Sequence, residues 1–135
     1  MKILVKIIIL IILFSSSNLT KVLAQEKIKL GLLVPISGEF SEIGKSIMKS
    51  TLLAINKIDN SLIEIIPKDT TSNPDVTFEK AKELRNAGVK IVIGPVFNKN
   101  LIKLEKLNDM TFLSLTNKII DNPKNIISVG INAGS

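Results

Sequence analysis

Histidine and cysteine are both missing from the 135 residues. Those two absences exclude every Ser-His-Asp and Cys-His nucleophile, every zinc site built on thiolate or imidazole, and every disulfide. Trp and Tyr are also absent, and five Phe are the whole aromatic inventory. That is too few for the stacking platforms that hold single-stranded nucleic acid. Arg85 is the only arginine, whereas readers of nucleic acid lean on Arg for bidentate contacts. The lysines are scattered among acids, so no nucleic-acid partner is expected. No metal or cofactor is expected either. The carboxylates form no motif, and a Ser-Lys arrangement of Ser46 with Lys45 or Lys49 is the one formal route to a nucleophile. The chain therefore reads as a binding protein and not an enzyme.

What is present is an ordinary globular composition, 45% hydrophobic and 22% charged, at a length suited to one domain. The formal charge of +6 is partly local. Lys2, Lys6 and Lys21 stand in a first segment that has no acid; without residues 1–24, 15 cations face 12 acids.

That first segment has the three-part order of a secretory signal peptide. Met1–Lys6 is basic, Ile7–Phe14 is unbroken and apolar, Ser15-Ser16-Ser17-Asn18 is polar, and Val22-Leu23-Ala24 puts small residues where a signal peptidase reads them. Even counted from Ile3, the apolar run is shorter than the roughly 20 residues that span a bilayer. The expected organisation is a signal peptide over residues 1–24 and an exported domain over 25–135. The membrane is then met only during export, and the destination is the periplasm.

The remainder alternates strand and helix. Ile28–Val34 is a short apolar run stopped by Pro35, which predicts a buried strand. Ser41–Ile58 carries Ile43, Ile47, Thr51, Ala54, Ile55 and Ile58 at helical spacing. Leu62–Pro67 predicts a second strand. Asn73-Pro74-Asp75 predicts a helix start, with Asn as cap, Pro in the first turn and Asp at the positive end of the dipole. Phe78, Ala81, Leu84 and Ala87 line one face of that helix, and Gly88 ends it. Val89–Ile93 is a third strand. Leu101, Leu104 and Leu107 predict a third helix over Asn98–Asn108. Thr111–Leu115 and Asn125–Val129 are the fourth and fifth strands. Strands separated by helices predict an α/β fold with a doubly wound parallel sheet and helices on both faces.

Two constellations invite chemistry and fall short. Gly44-Lys45-Ser46 suggests a phosphate loop, but Gly38 stands one residue too far upstream and Glu39 occupies the place where Gly belongs. Glu39, Glu42 and Asp69 offer carboxylates without the spacing of an acid–base pair, and Glu42 is well explained by its place at a helix N-terminus.

The more specific feature is positional. Loops Pro35–Ser41, Gly94–Asn98 and Thr116–Lys118 leave the carboxyl ends of the first, third and fourth strands, where doubly wound sheets bind ligands. Gly38 and Gly94 permit close backbone approach. Ser37, Asn98, Thr116 and Asn117 add neutral hydrogen-bonding groups, and a helix after Gly94-Pro95 would aim free N–H groups at a carboxylate.

The region from Ile28 to Val129 resembles the first lobe of a type I periplasmic binding protein of the leucine/isoleucine/valine-binding kind. The residues that carry the likeness come in order: Ile28–Gly38 with Gly44, Ala54-Ile55-Asn56, Asp69-Thr70, Asn73-Pro74, Gly88-Val89 and Ile93-Gly94-Pro95. The resemblance implies a sheet of order 2-1-3-4-5 in one lobe of a two-lobed clamp, which captures a small ligand such as an amino acid for an ABC transporter permease. It also implies that Asn98, Lys99, Thr116 and Lys118 hold the ligand's polar groups, and that Ile43 and Gly44 wall its side-chain pocket. Gly94-Pro95-Val96 followed by Phe112–Asn117 is similar to another branch, the penicillin-binding-protein activators, whose partner is a peptidoglycan synthase. Neither the second lobe nor a helix after the fifth strand is found before Ser135, so the chain is expected to be a fragment.

Export predicts cleavage after Ala24. N-terminal sequencing of the protein recovered from the extracytoplasmic fraction is expected to start at Gln25, and recovery of intact Met1 in the cytosol would overturn this.

Overall fold

The computed structural model describes residues 26–117 and 123–130, together with Met1, Ile3, Leu4 and Lys6. Most of the predicted leader with its cleavage point at Ala24, as well as Lys118 and Ile131–Ser135, lies outside the described residues.

Five strands form one parallel sheet in the order β2-β1-β3-β4-β5. They are β1 (Ile28–Val34), β2 (Ile63–Asp69), β3 (Ile91–Ile93), β4 (Thr111–Ser114) and β5 (Ile126–Ser128). The first strand pairs with both β2 and β3, setting Gly31 beside Ile66 and Val92. Two helices make the first two crossovers, α1 (Ser41–Ile58) and α2 (Pro74–Asn86). The predicted architecture and strand order therefore hold.

Alternation along β1 divides the faces, as the period of two requires. Gly31 and Leu33 look toward α2: a Cβ built on Gly31 would lie 2.7 Å from Leu84 Cδ1. The core of this face joins Leu33, Ala81, Leu84, Val89, Val92, Leu101, Leu104, Leu107, Met110, Phe112 and Ile126. Leu32 and Val34, fully buried on the opposite face, lie on the side of α1. That face is less covered, with Ile91 42% and Ile127 50% exposed. The two crossovers, β1-α1-β2 and β2-α2-β3, run in opposite directions along the sheet, which puts their helices on opposite faces.

The local signals explain the helix ends. The Asn73 side chain accepts from the Asp75 and Val76 N–H groups at 2.8 and 3.2 Å, and Pro74 sits in the first turn where its missing donor costs nothing. Helix α1 stops at Asp59, whose φ of 50° is left-handed. Beyond α2, Gly88 has a φ of 83° and ends the helix without strain.

Three expectations need correction. The segment Asn98–Asn108 is not an α-helix but two short 3₁₀ turns, Asn98–Asn100 and Leu104–Lys106. The reason was present in the spacing: Leu101, Leu104, Leu107 and Met110 are buried at intervals of three, which is the 3₁₀ period and not 3.6. Strand β3 starts at Ile91 and not Val89, because the Val89 N–H donates to the Leu84 carbonyl (3.0 Å) and is spent closing α2. Strand β2 runs through Pro67 to Asp69, which an edge strand allows because one side of its ladder has no partner to lose. Smaller adjustments shorten β4 and β5, and Ala87 at the end of α2 is exposed rather than packed.

Truncating Leu104, fully buried in the 3₁₀ segment, to Ala is expected to lower unfolding stability by about 2–5 kcal/mol. Ile102→Ala, at a position 70% exposed, should stay within about 0.5 kcal/mol. Urea denaturation of both variants checks the 3₁₀ register, and a reversed ranking would contradict it.

Candidate functional site

The loops that follow β1, β3 and β4 lie side by side at the carboxyl edge, because those strands are neighbours in the sheet. Backbone contacts knit them. The Thr70 N–H donates to the Val34 carbonyl (3.0 Å), Gly94 N–H to Leu113 (2.8 Å), Leu115 N–H to Pro95 (3.0 Å) and Val129 N–H to Ser114 (2.9 Å). The ladder thus continues past the strand ends.

Close packing at this edge leaves no room for side chains at three glycines. A Cβ on Gly44 would fall 1.8 Å from the Pro35 carbonyl oxygen, one on Gly94 2.2 Å from that of Leu33, and one on Gly130 2.2 Å from that of Thr116. Gly94 also has a φ of 104°, a region closed to other residues. The peptide joining it to Pro95 is cis.

Asp69, at the end of β2, organises the first loop. Its Oδ1 accepts from the Ile36 N–H (2.8 Å) and the Thr71 N–H (2.9 Å), and its Oδ2 from the Ser37 hydroxyl (2.6 Å). Partial burial opposes its ionisation, but the Ser37 hydroxyl and the surrounding N–H groups outweigh that and hold its pKa below the ordinary 3.8. Asp69 is therefore engaged by its own loops and is not an idle acid–base group. Glu42 pairs with Lys45 (3.2 Å) on the exposed first turn of α1.

The predicted site residues are distributed as follows. Ser37 and Gly38 are exposed at the tip of the β1 loop, Gly38 with open space around it. Ile43 is 44% exposed in the first turn of α1. Gly94 is buried under the β3 loop, Asn98 is half-buried at the start of the 3₁₀ turn, Thr116 is buried and Asn117 is exposed. One expectation fails on the anion-binding side. There is no α-helix directly after Gly94-Pro95, α2 is capped by its own Asn73, and of the two helices α1 and α2 it is α1 whose N-terminus has no side-chain cap.

Two features escaped the sequence reading. Phe40 and Phe97, from the β1 and β3 loops, meet with ring centroids 4.8 Å apart and planes inclined at 58°. Nothing in their separation along the chain announces this; only adjacency of β1 and β3 does. Asn100 is 1% exposed, and neither its Oδ1 nor its Nδ2 has a protein partner, as is true of the Ser72 hydroxyl. Such atoms are uncommon in folded proteins. A buried Asn among leucines was the available signal.

Two surface hollows of about 450 and 440 Å³ lie at the opposite, amino edge. In the first of them Asp109 pairs with Arg85 (3.0 Å) and Lys90 (3.7 Å), and the Asn125 amide donates to the Leu104 and Leu107 carbonyls, both at 3.0 Å.

A family profile described as periplasmic binding protein matches residues 27–108, more than half of the chain. No curated protein matches the sequence. Among solved structures, a solute-binding protein of an ABC transporter from Rhodopseudomonas palustris, in complex with 3,4-dihydroxybenzoic acid, is 28% identical with a TM-score of 0.62, over 67% of this chain and 27% of that one. The C-domain of LpoA from Haemophilus influenzae, a regulator of PBP1A, is 25% identical with a TM-score of 0.59, over 76% and 32%. The branched-chain amino acid binding protein LivJ of Streptococcus pneumoniae, in complex with isoleucine, shares the fold at 20% identity and a TM-score of 0.64, over 76% and 33%. The chain thus spans about a quarter to a third of the length of these structures.

Because the folded state lowers the Asp69 pKa, its stabilising effect is present above about pH 3.8 and is lost as pH falls through the lower folded value. Asp69→Asn is expected to flatten that part of the acid limb relative to wild type, and Asp69→Ala to cost about 1–3 kcal/mol at neutral pH. Urea unfolding at a series of pH values reads the difference between the chains, since the lowered Glu83 and Asp109 are common to both. Parallel acid limbs would contradict the role given to Asp69.

Proposed function

The chain belongs to the periplasmic binding protein family, and on that premise we propose that it forms one lobe of an extracytoplasmic solute receptor for an ABC transporter. In this reading residues 1–24 direct export and are removed, and 25–135 supply the N-terminal lobe. The observation that carries the proposal is the gathering of the β1, β3 and β4 loops at one sheet edge, held by glycines at 44 and 94 against the Pro35 and Leu33 backbones. A doubly wound sheet takes its ligand at that edge.

The roles follow from chemistry. Gly38 and Gly94 keep the backbone low, Ser37, Asn98, Thr116 and Asn117 supply neutral donors and acceptors, and Ile43 supplies apolar wall. The Ser37 hydroxyl donates to Asp69, so toward a ligand it is an acceptor. The group is a binding site without a nucleophile–base pair, and the protein's work is capture. A binding cleft encloses about 70–90% of its ligand's surface, and one lobe supplies one wall of such a cleft. Affinity therefore depends on a second wall.

A second reading has its own support. The LpoA C-domain is 25% identical over 76% of the chain, which favours a regulator that docks on a peptidoglycan synthase and needs no small solute.

Calorimetric titration of the mature full-length protein with isoleucine, leucine and 3,4-dihydroxybenzoate is expected to give saturable binding of at least one of them, while residues 25–135 alone bind it at least about tenfold more weakly. Tight binding by the short form would contradict the half-site argument. No binding by the full-length form, with co-purification of a peptidoglycan synthase, would replace the receptor reading by the second one.

A further inference from the structure

We propose that the Asn100 side chain and the Ser72 hydroxyl hold one internal water between them, which ties the turn before α2 to the 3₁₀ turn after β3. This holds equally for a receptor and for a synthase regulator, so it does not rest on either reading. Asn100 is 1% and Ser72 8% exposed, and among the described residues neither the Asn100 Oδ1 and Nδ2 nor the Ser72 Oγ has a hydrogen-bond partner. A buried polar atom left bare costs the fold its full desolvation. A water shared by several such atoms is the usual remedy in protein interiors.

The fold brings the two residues together. Helix α2 and the 3₁₀ segment each carry the chain from the carboxyl edge back to the start of the next parallel strand, so they run in the same direction. They share a face of the sheet: Leu101 and Leu104 join the core that holds Ala81 and Leu84, and the turn Asn98–Asn100 packs against α2. Lys103 pairs with Asp75 at the surface and sets the register between them. Three residues back from Lys103, one turn of 3₁₀ winding, is Asn100, and three back from Asp75 is Ser72. Thr70 and Thr77, buried beside the same turn, are engaged locally: the Thr70 hydroxyl accepts from the Ser72 N–H (3.3 Å), and the Thr77 hydroxyl donates to the Asn73 carbonyl (2.7 Å).

The donor and acceptor inventory selects the occupant. Asn100 offers N–H donors on Nδ2 and an acceptor on Oδ1, and the Ser72 hydroxyl can do either. A cation would suit the oxygens but face the N–H groups, and an anion would meet the reverse conflict. The nearby charges, Asp75 and Lys103, are spent on each other. A neutral molecule that both donates and accepts fits all three atoms, and burial this complete limits it to the size of water. Asp69 carries the link further, since it accepts from Thr71 in the same turn and from Ile36 and Ser37 in the β1 loop. The β1 loop, the turn before α2 and the β3 loop are then joined by one chain of hydrogen bonds.

The test uses the mature full-length protein. A crystal structure that shows ordered solvent is expected to place a water within hydrogen-bond distance of both Asn100 and the Ser72 hydroxyl. A direct Asn100–Ser72 bond, or a protein group from elsewhere in the chain seated between them, would overturn the proposal. Oxygen-17 relaxation dispersion counts long-lived internal waters in solution. Wild type should show one more than Asn100→Leu, and equal counts would overturn it. A double-mutant cycle of Asn100→Leu with Ser72→Ala, read by urea unfolding, should give a coupling of at least about threefold in the folding equilibrium constant. Strictly additive effects would contradict a shared water. Should Asn100→Leu fail to fold, the wild-type structure and the loss of the same water in the milder Ser72→Ala decide the matter, and a water retained unchanged in Ser72→Ala would refute the role of Ser72.

Discussion

The carboxyl edge of this sheet depends on backbone approaching backbone with nothing in between. Gly44 lets the first turn of α1 lie on the Pro35 carbonyl, Gly94 lets the β3 loop lie on Leu33, and Gly130 lets the exit from β5 lie on Thr116. Any side chain at the first two positions would displace an element and not a flexible tip, because the colliding atoms are main-chain carbonyls. With α1 lifted, Phe40 no longer reaches Phe97; with the β3 loop lifted, the ladder bond from Leu115 to Pro95 opens. Three separate loops thus become one surface through a steric allowance.

The packed core and the candidate site occupy different parts of the lobe. The α2 face carries the continuous core, from Leu33 through Leu84 and Val92 to Phe112, and tolerates little loss of volume. The carboxyl edge instead holds half-buried rings, exposed Ser37, Gly38 and Asn117, and a carboxylate whose hydrogen bonds fix loops. Ion pairs on the surface of α2, such as Glu83 with Lys68 and Lys80, decorate the core without shaping the site.

Most of the architecture could be read from the chain, and for reasons that are physical. Asn73-Pro74-Asp75 is a cap, a first-turn proline and a dipole-matched acid, so α2 began where it should. The apolar run closed by Pro35 made β1, and strand–helix alternation left few topologies. The reading failed where two periods compete: leucines three apart fit one side of an α-helix roughly and a 3₁₀ turn well, and the buried Asn100 belongs to the tighter winding. It failed again at Pro67, because edge or centre is a property of the sheet and not of the residue. At the carboxyl edge, the glycines and the hydrogen-bonding loop residues could be placed from their position after the strands. The Phe40–Phe97 pair and the engagement of Ser37 by Asp69 could not, since each joins residues tens of positions apart through strand adjacency alone.

The most direct test of the account is where a ligand is felt. Amide chemical shifts of the isotope-labelled mature full-length protein, followed during addition of isoleucine and then 3,4-dihydroxybenzoate, map that place residue by residue. The account predicts shifts confined to the β1, β3 and β4 loops, with Gly38, Phe40, Gly94, Phe97, Asn98 and Asn117 among the largest. Shifts centred instead on the amino-edge hollows, around Asn56 and Ser61 or around Asp109 and Asn125, would contradict it.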